Sequence, residues 1–346
     1  MTDTMKAAVL YGPSDVRFED VPVPRVGPGD VLVRVGAALT CGTDAKVLAR
    51  GGHPRMIRPP ALFGHEFAGT VERVGEAVEG FEPGMRVVSA NSAPCGRCFY
   101  CERGRPNLCE DLLFINGAYA EYALIPERVV RVNLHRIPDA LPFEHAALVE
   151  PFACVLHGLD DAPVGRGDTV AVLGCGPVGL LFVIACRLAG ATVIACDPSA
   201  ERLSVAGECG AAHLVSESDP GAQRDAVQRL TPGGRGADLA IEAVGTPRTW
   251  EQAVSLARPG GTVSLFGGCA PGTSFTVDTK LLHYSELRLV GSFHHTPVTV
   301  RRALELISGG GMPAGALVRS RVPLTEVMRA LANMRDHVGV KTAVVP

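Results

Sequence analysis

The sequence predicts an α/β protein of two domains, one all-β and barrel-like, the other a doubly wound parallel sheet. The chain has 346 residues, which is long for a single hydrophobic core. Its first part alternates apolar and polar positions in short runs that glycine and proline interrupt, as in "VPVPRVGPGDVLVRVG". Strand-like and helix-like runs then alternate to about residue 290, which favours a parallel sheet covered by helices.

Composition and charge exclude several classes of partner. Hydrophobic residues make up 47% of the chain and charged residues 20%, which is typical of a folded globular protein. The net charge is −3 without any basic run, so we expect no nucleic-acid and no membrane partner. The longest apolar run, Val178 to Cys196, contains Arg187 and Gly190 and divides into helix, turn and strand. Eleven cysteines without a secretory signal indicate a reducing compartment, so a cytoplasmic location is expected.

A glycine-rich turn in the second part predicts a dinucleotide site. In "VLGCGPVG", Gly174 permits a tight turn, Gly176 lets backbone approach a pyrophosphate, and Gly179 lets helix and strand pack closely. Asp197 ends the next strand, where an acidic residue binds the ribose hydroxyls and repels a 2′-phosphate. NAD is therefore favoured over NADP, and nearby Arg202 either softens this preference or belongs to a solvated helix face. The predicted cofactor-binding residues are Gly174, Gly176, Pro177, Val178, Gly179, Asp197 and Arg202.

Four cysteines lie close together in "PCGRCFYCERGRPNLC", namely Cys95, Cys98, Cys101 and Cys109. Four thiolates on a loop that curls back complete a tetrahedral shell and leave no position open for chemistry. The loop has few apolar residues with which to build a core. Disulfides, redox thiols or coincidence are the alternatives, but this spacing predicts a structural zinc site.

A different set of ligand types is spread over three other segments. Cys41 follows a strand-like run in "LTCGTD", His65 precedes Glu66 in "FGHEFAG", and Glu150 precedes a proline in "ALVEPFACVLHG". Each is weak alone, since a cysteine after a strand is usually a buried apolar residue and a His-Glu pair is usually exposed. In combination, one thiolate, one imidazole and carboxylates are the ligands of a catalytic zinc with one exchangeable position.

These motifs together resemble the zinc-dependent medium-chain dehydrogenases, and among them the polyol (sorbitol-like) and threonine dehydrogenase branch. The resemblance covers nearly the whole chain and includes "CGTD", "GHEFAGTVERVG", "CGRCFYCERGRPNLC", "GCGPVG" and "RPGGTVSLFGG". It implies a discontinuous GroES-like catalytic domain of residues 1–153 and 294–346 and a Rossmann NAD-binding domain of residues 154–293. It also implies a homodimer or homotetramer.

The resemblance assigns roles to the second ligand set. The catalytic zinc would be held by Cys41, His65 and Glu150, with Glu66 as a fourth carboxylate that either exchanges onto the metal or lies behind its ligands. Asp44 would orient His65 by accepting its other N–H. Many alcohol dehydrogenases have cysteine where this chain has Glu150, which points to the polyol branch.

Proton transfer and substrate binding are also implied by the resemblance. Thr43 would pass the alcohol proton towards the cofactor ribose and solvent. Many relatives have a histidine where this chain has Lys46, which leaves the outer end of that path open. His294 and His295 in "GSFHHTP" would bind substrate hydroxyls, or else cap a strand end. Asn91, just before the cysteine loop, is a further candidate for the substrate pocket.

The expected activity is a zinc-dependent transfer of hydride from a secondary alcohol to NAD, giving the ketone. The substrate would be a polyol, a cyclitol or a sugar-derived alcohol, with one catalytic and one structural zinc per chain. An amino-alcohol dehydrogenase of the L-threonine type is the alternative enzyme. A non-catalytic nucleotide-binding protein on the same fold is the alternative from another class, and the intact ligand set counts against it.

Overall fold

The structure is a computed structural model that describes residues 4–336 and 338–346. It divides into two compact units, and the first consists of the described residues through Ala153 and those from His295 onward. The second unit is Cys154–His294, so one boundary falls inside the helix Val149–Asp161. No described helix is both long enough and apolar enough to cross a membrane.

Strands and helices both occur in each unit and are numbered in chain order. The strands are β1 Thr4–Gly12, β2 Asp15–Pro22, β3 Val31–Leu39, β4 Ala61–Leu62, β5 Glu66–Val74, β6 Arg86–Ser89, β7 Ser92–Ala93, β8 Leu113–Phe114, β9 Tyr122–Ile125, β10 Leu134–Arg136, β11 Thr169–Leu173, β12 Thr192–Cys196, β13 His213–Val215, β14 Ala237–Glu242, β15 Ala257–Leu265, β16 Arg288–Gly291, β17 Val318–Pro323 and β18 Lys341–Val345. The helices are α1 Gly42–Arg50, α2 Phe99–Glu102, α3 Glu127–Asn133, α4 Phe143–Ala146, α5 Val149–Asp161, α6 Pro177–Leu188, α7 Ala200–Glu208, α8 Pro220–Arg229, α9 Pro247–Leu256, α10 Thr279–Tyr284, α11 Pro297–Ser308, α12 Ala314–Leu317 and α13 Val327–Arg335.

The first unit is built mainly from antiparallel strands, as its interrupted apolar alternation predicts. One sheet has the order β10-β6-β5-β3-β18-β17 with β9 also paired to β3, and a smaller one has the order β2-β1-β4. The inward-facing side chains of these strands, together with the fully buried Tyr119, form one hydrophobic core. Since β18 comes from the end of the chain, this sheet is complete only when the chain returns to the first unit.

Strand pairing brings three distant segments to one edge of the larger sheet. Strand β3 pairs antiparallel with β5, with Leu39 opposite Glu66, and antiparallel with β18, with Leu39 opposite Ala343. In an antiparallel pair the end of one strand lies beside the start of the other. The end of β3 therefore lies next to the starts of both β5 and β18.

The second unit confirms the predicted doubly wound parallel sheet. Its six strands are parallel in the order β13-β12-β11-β14-β15-β16, which is the Rossmann order with β11 as its first strand. All five residues of β11 are buried, as expected for a strand covered on both faces. The long apolar run divides as predicted into α6 and β12.

Backbone conformation and close packing require glycine at two positions of the predicted turn. Gly174 has φ of +95°, a left-handed conformation that favours glycine. A Cβ atom on Gly179 would lie 1.8 Å from the carbonyl O of Gly174, so only glycine permits this approach of helix and turn. A Cβ on Gly176 would meet no heavy atom of the described residues within 4 Å, which leaves open space at the start of α6.

A histidine of the first unit should make its stability depend on pH. Burial, together with the charge of Arg301, lowers the pKa of His135 to about 4, and its Nε2 has no hydrogen-bond partner among the described residues. The unfolded chain, with a histidine pKa of about 6.5, binds the proton more readily, so the free energy of unfolding falls as pH drops from about 6.5 to 4.

We expect His135→Gln to reduce this loss by roughly 2 kcal/mol. The measurement is urea unfolding of both proteins at several pH values across this window. Equal pH slopes for wild type and variant would contradict the assignment.

Candidate active site

A thiol, an imidazole and a carboxylate meet where the three strand ends converge. Cys41 follows β3 and is the N-cap residue of α1, while His65 and Glu66 lie at the start of β5. One ligand atom from each of these three residues lies within 4.8 Å of the others. His65 is 5% exposed and Glu66 is fully buried, so the group is largely shielded from water.

Asp44 fixes the orientation of His65. The Asp44 Oδ1 lies 3.1 Å from His65 Nδ1, which leaves the other ring nitrogen, Nε2, available to bind a metal ion. The second oxygen, Oδ2, accepts hydrogen bonds from the Tyr119 hydroxyl at 2.5 Å and from the Cys41 N–H at 3.1 Å. Burial by itself lowers the pKa of His65, but the neighbouring Asp44 and Cys41 outweigh it and raise that pKa well above its usual range. The imidazole is thus held by a carboxylate that is itself held in place.

Lys341, the first residue of β18, forms a buried ion pair with Glu66. Its Nζ donates to Glu66 Oε2 and, at 2.9 Å, to the carbonyl O of Thr40, and its side chain is 2% exposed. Burial lowers the pKa of Lys341, whereas the charge of Glu66 raises it, and the net direction is upward. The other carboxylate oxygen, Glu66 Oε1, is buried and has no hydrogen-bond partner within the described part of the chain.

These donors fit a zinc ion. A cysteine thiolate, a histidine nitrogen and a carboxylate oxygen are the ligand types that zinc prefers. Burial raises the pKa of the Cys41 thiol, as does the charge of Glu66, whereas His65 and Lys341 oppose this, and the net direction is upward. A bound cation would favour the thiolate. An unpartnered buried carboxylate oxygen beside it is what a cation would satisfy.

Glu150 lies outside this three-residue group. It is in the first turn of α5, 5% exposed. Burial raises its pKa to about 7, with a further rise from Glu66 and an opposing effect of His65. The pKa of Glu150 therefore depends on the charges of the three-residue group, and its role as a zinc ligand stays a prediction.

The four cysteines of the predicted structural site also come together. Sulfur atoms of Cys95, Cys98, Cys101 and Cys109 lie within 4.8 Å of one another, and none of the eleven cysteines is in a disulfide. The N–H of Cys95 points at the sulfur of Cys109, at 3.2 Å. Hydrogen bonds from the backbone of Glu110 and Cys101 lower the pKa of Cys98 to about 6, whereas burial raises that of Cys109 to about 12. Four converging sulfurs fit a closed tetrahedral zinc site.

The predicted proton-transfer and substrate residues are less closely grouped. The N–H of Thr43 points at Cys41 Sγ, at 3.4 Å, while Lys46 is exposed on the same helix.

His295 Nε2 lies 3.1 Å from Asn91 Oδ1, and both side chains are buried in the first unit. His294 has φ of +65° and its ring stacks on that of Phe293. The sequence did not foresee that Asn91 and His295 are hydrogen-bonded to each other.

The predicted cofactor residues surround the start of α6 in the second unit. Gly176 is the N-cap of this helix and contributes no side chain, so the N–H groups of the first turn can receive a phosphate. Asp197 is 4% exposed and its carboxylate accepts the N–H groups of Cys175 and Ser199, at 2.8 and 2.9 Å. The Nη1 atom of Arg202 lies 3.9 Å from Asp197 Oδ2.

Sequence reasoning missed Lys341 and Tyr119. In "KTAVV" a lysine opens an otherwise uncharged strand, and a buried lysine requires a partner. That requirement was the available signal, but it does not say which carboxylate is the partner. Tyr119 in "NGAYAEY" carried no signal beyond its aromatic ring.

Comparison with known proteins agrees with both units. Residues 27–139 match the family of the alcohol dehydrogenase GroES-like domain, and residues 177–309 match the family of zinc-binding dehydrogenases. The chain is 31% identical to sorbitol dehydrogenase of Bacillus subtilis (strain 168) over 334 residues, covering 94% of this chain and 92% of that protein.

Solved structures of similar proteins carry both kinds of nicotinamide cofactor. A protein from Sinorhizobium meliloti 1021 that is described as a zinc-binding dehydrogenase, bound to NADP, superposes with a TM-score of 0.90 at 38% identity, covering all of both chains. A protein described as a short chain alcohol dehydrogenase from E. coli CFT073, in complex with NADH, superposes with a TM-score of 0.88 at 26% identity, again covering all of both chains.

Both folds and both family matches place the chain in the class of zinc-binding dehydrogenases. Within that class, the chain belongs to the zinc-dependent medium-chain dehydrogenase family, in its polyol branch. The predicted fold class, a GroES-like all-β part combined with a Rossmann part, is thereby confirmed.

Proposed function

We propose that this protein oxidises a secondary alcohol of the polyol, cyclitol or sugar-derived type to the ketone with NAD, using a zinc ion. The observation that carries the proposal is the convergence of Cys41 with the buried His65 and Glu66, whose ligand atoms lie within 4.8 Å of one another. The sorbitol dehydrogenase among its relatives supports the substrate class. The reverse reaction, reduction of the ketone, would use the same groups.

The residues of the chain would each have a definite task. When bound, zinc would supply the charge that polarises the substrate hydroxyl, and NAD would accept the hydride. Cys41 and His65 would hold the metal with Glu66 or Glu150, and Asp44 would keep His65 in the required tautomer. Thr43 would accept the alcohol proton.

Cofactor choice and substrate positioning follow the same proposal. Asp197 favours NAD because its carboxylate repels a 2′-phosphate, although the Sinorhizobium meliloti protein binds NADP. The Gly174–Gly179 turn would receive the pyrophosphate. Asn91, His294 and His295 would bind substrate hydroxyls, and Lys46 would connect Thr43 to solvent. A homodimer or homotetramer, a cytoplasmic location and a second, structural zinc at the four cysteines complete the proposal.

The test is turnover of polyols, cyclitols, threonine and simple secondary alcohols with NAD⁺ or NADP⁺, followed by the absorbance of the reduced nicotinamide. We expect turnover of a polyol or cyclitol with NAD⁺ and about two zinc ions per chain. Cys41→Ser should lower turnover roughly a thousandfold and remove one zinc, because a metal ion contributes several kcal/mol of charge stabilisation. Cys186→Ala, at a buried cysteine outside both clusters, is the matched control.

Other outcomes would redirect or end the proposal. Turnover of threonine alone would favour an amino-alcohol dehydrogenase. An absence of turnover on every substrate, with a single zinc per chain, would contradict the catalytic site and favour a non-catalytic nucleotide-binding protein.

A further inference from the structure

Glu242 connects two loops at the carboxyl edge of the parallel sheet. It ends β14 and is fully buried. Its Oε1 accepts the N–H groups of Val244 and Gly245, at 2.9 and 2.8 Å. Its carbonyl O accepts the N–H groups of Phe266 and Gly267, at 3.1 and 3.0 Å. The side chain thus binds the loop after β14 (residues 243–246), and the backbone of the same residue binds the loop after β15 (residues 266–268).

These two loops pack backbone against backbone. A Cβ atom on Gly245, which has φ of +89°, would lie 2.7 Å from the carbonyl O of Gly268. A Cβ on Gly267 would lie 2.4 Å from the N atom of Gly245 and 2.6 Å from Glu242 Oε2. No side chain fits between the loops at these glycines, and the Glu242 carboxylate lies where the loops meet. Its Oε1 binds the loop after β14, and its Oε2 borders Gly267.

The loop after β14 also forms a wall of the glycine-rich turn. The N–H of Ala243 donates to the carbonyl O of Leu173, at 2.9 Å, at the residue before that turn. A Cβ on Gly174 would lie 2.5 Å from Val244 Cγ2, and a Cβ on Gly179 would lie 3.5 Å from the Cβ of Ala243. A shift of this loop would therefore move the backbone that borders the proposed pyrophosphate site.

Burying a carboxylate at this position costs free energy, which indicates a specific role for Glu242. Burial raises the pKa of Glu242, and the hydrogen bonds that it accepts only partly oppose this. An apolar residue would fill the same space without that cost, but it could not accept two backbone N–H groups. The position also lies at the edge of a parallel sheet where nucleotides bind in this type of fold.

We infer that Glu242 is a positioning residue for the dinucleotide, which holds the loops after β14 and β15 in the arrangement that the cofactor requires. The inference rests on the proposed function, because it assumes that the second unit binds a nicotinamide dinucleotide. Glu242 acts through backbone groups and need not touch the cofactor.

The chain contains a reporter for this arrangement. Trp250 is its single tryptophan, and the indole N–H donates to the carbonyl O of Gly267, at 2.9 Å. Its fluorescence should change when the loop after β15 moves, and quenching of that fluorescence should report NADH binding.

The experiment measures the dissociation constant of NADH in four zinc-loaded proteins. Glu242→Met removes both carboxylate oxygens at similar side-chain length and leaves the backbone carbonyl O in place. Gly267→Ala pushes the two loops apart without changing a charge, and decides the question where Glu242→Met does not fold. Asp238→Asn is the control, since Asp238 lies at the opposite end of β14 and accepts the Thr169 N–H at 2.7 Å.

We expect Glu242→Met and Gly267→Ala each to weaken NADH binding about tenfold, equivalent to about 1.4 kcal/mol, and to shift the Trp250 emission. The kcat at saturating dinucleotide should stay within about threefold of wild type. A global loss of structure would instead lower kcat as well, so this measurement separates the two explanations. Asp238→Asn should leave NADH binding unchanged.

Two results would overturn the inference alone. One is less than about fivefold weakening in the folded variants, and the other is an equal weakening by Asp238→Asn. Wild-type protein that binds neither NADH nor NADPH would instead overturn the proposed function, and the inference with it.

Discussion

Replacing Lys341 with methionine should destabilise the first unit by about 3–5 kcal/mol, because it leaves the carboxylate of Glu66 buried without its counter-ion. The Nζ atom of Lys341 is the donor to Glu66 Oε2, and both side chains are excluded from water. The free energy of unfolding is to be measured by urea titration of the metal-free protein, where no bound cation can compensate the unpaired charge.

The same substitution should lower turnover about 10–100-fold, the range typical of residues that support metal ligands. The double variant Glu66→Gln with Lys341→Met removes both charges and should recover part of the lost stability, although not the turnover. A metal-free Lys341→Met protein as stable as wild type would show that the ion pair contributes nothing.

Replacing Cys109 with serine should remove one zinc ion and unfold the loop from Cys95 to Cys109. Structural zinc sites in small domains supply about 10–16 kcal/mol of binding free energy that is also folding free energy. The first unit has a core of its own, so we expect a smaller but still large fall in melting temperature, with rapid protease cleavage in this loop.

Cys209→Ser provides the matched comparison, since Cys209 is a buried cysteine that belongs to neither cluster. The measurements are zinc per chain, thermal unfolding and the pattern of limited proteolysis. A Cys109→Ser protein that retains about two zinc ions and the wild-type melting temperature would contradict a structural zinc site at these cysteines.

Local patterns explain why so much of this protein could be predicted from its sequence. The glycine-rich turn depends on neighbouring residues, because Gly174 needs a left-handed φ and Gly179 a close approach to that same turn. The four cysteines lie within one short loop, so their spacing alone limits how far apart their sulfurs can be. The order of strands and helices in the second unit follows from apolar runs of strand and helix length.

Residues that meet through strand pairing were beyond the reach of such patterns. Lys341 and Glu66 are 275 positions apart, and His295 and Asn91 are 204 positions apart. Which buried cation meets which carboxylate depends on the register of β3 with β5 and β18, and a slip of one residue would turn these side chains to the other face. A sequence pattern specifies that a strand exists, but not which residue lies opposite.

The sequence by itself therefore determined the fold class, the family and the types of residue that form each cluster. Only the tertiary structure decided that Cys41, His65 and Glu66 form a close group, and that Lys341 and Tyr119 support it. It likewise placed Glu242 between two loops of the parallel sheet. The physical reason is that ligand chemistry and turn conformation are properties of single residues and their neighbours, whereas pairing of buried polar groups depends on the packing of segments far apart in the chain.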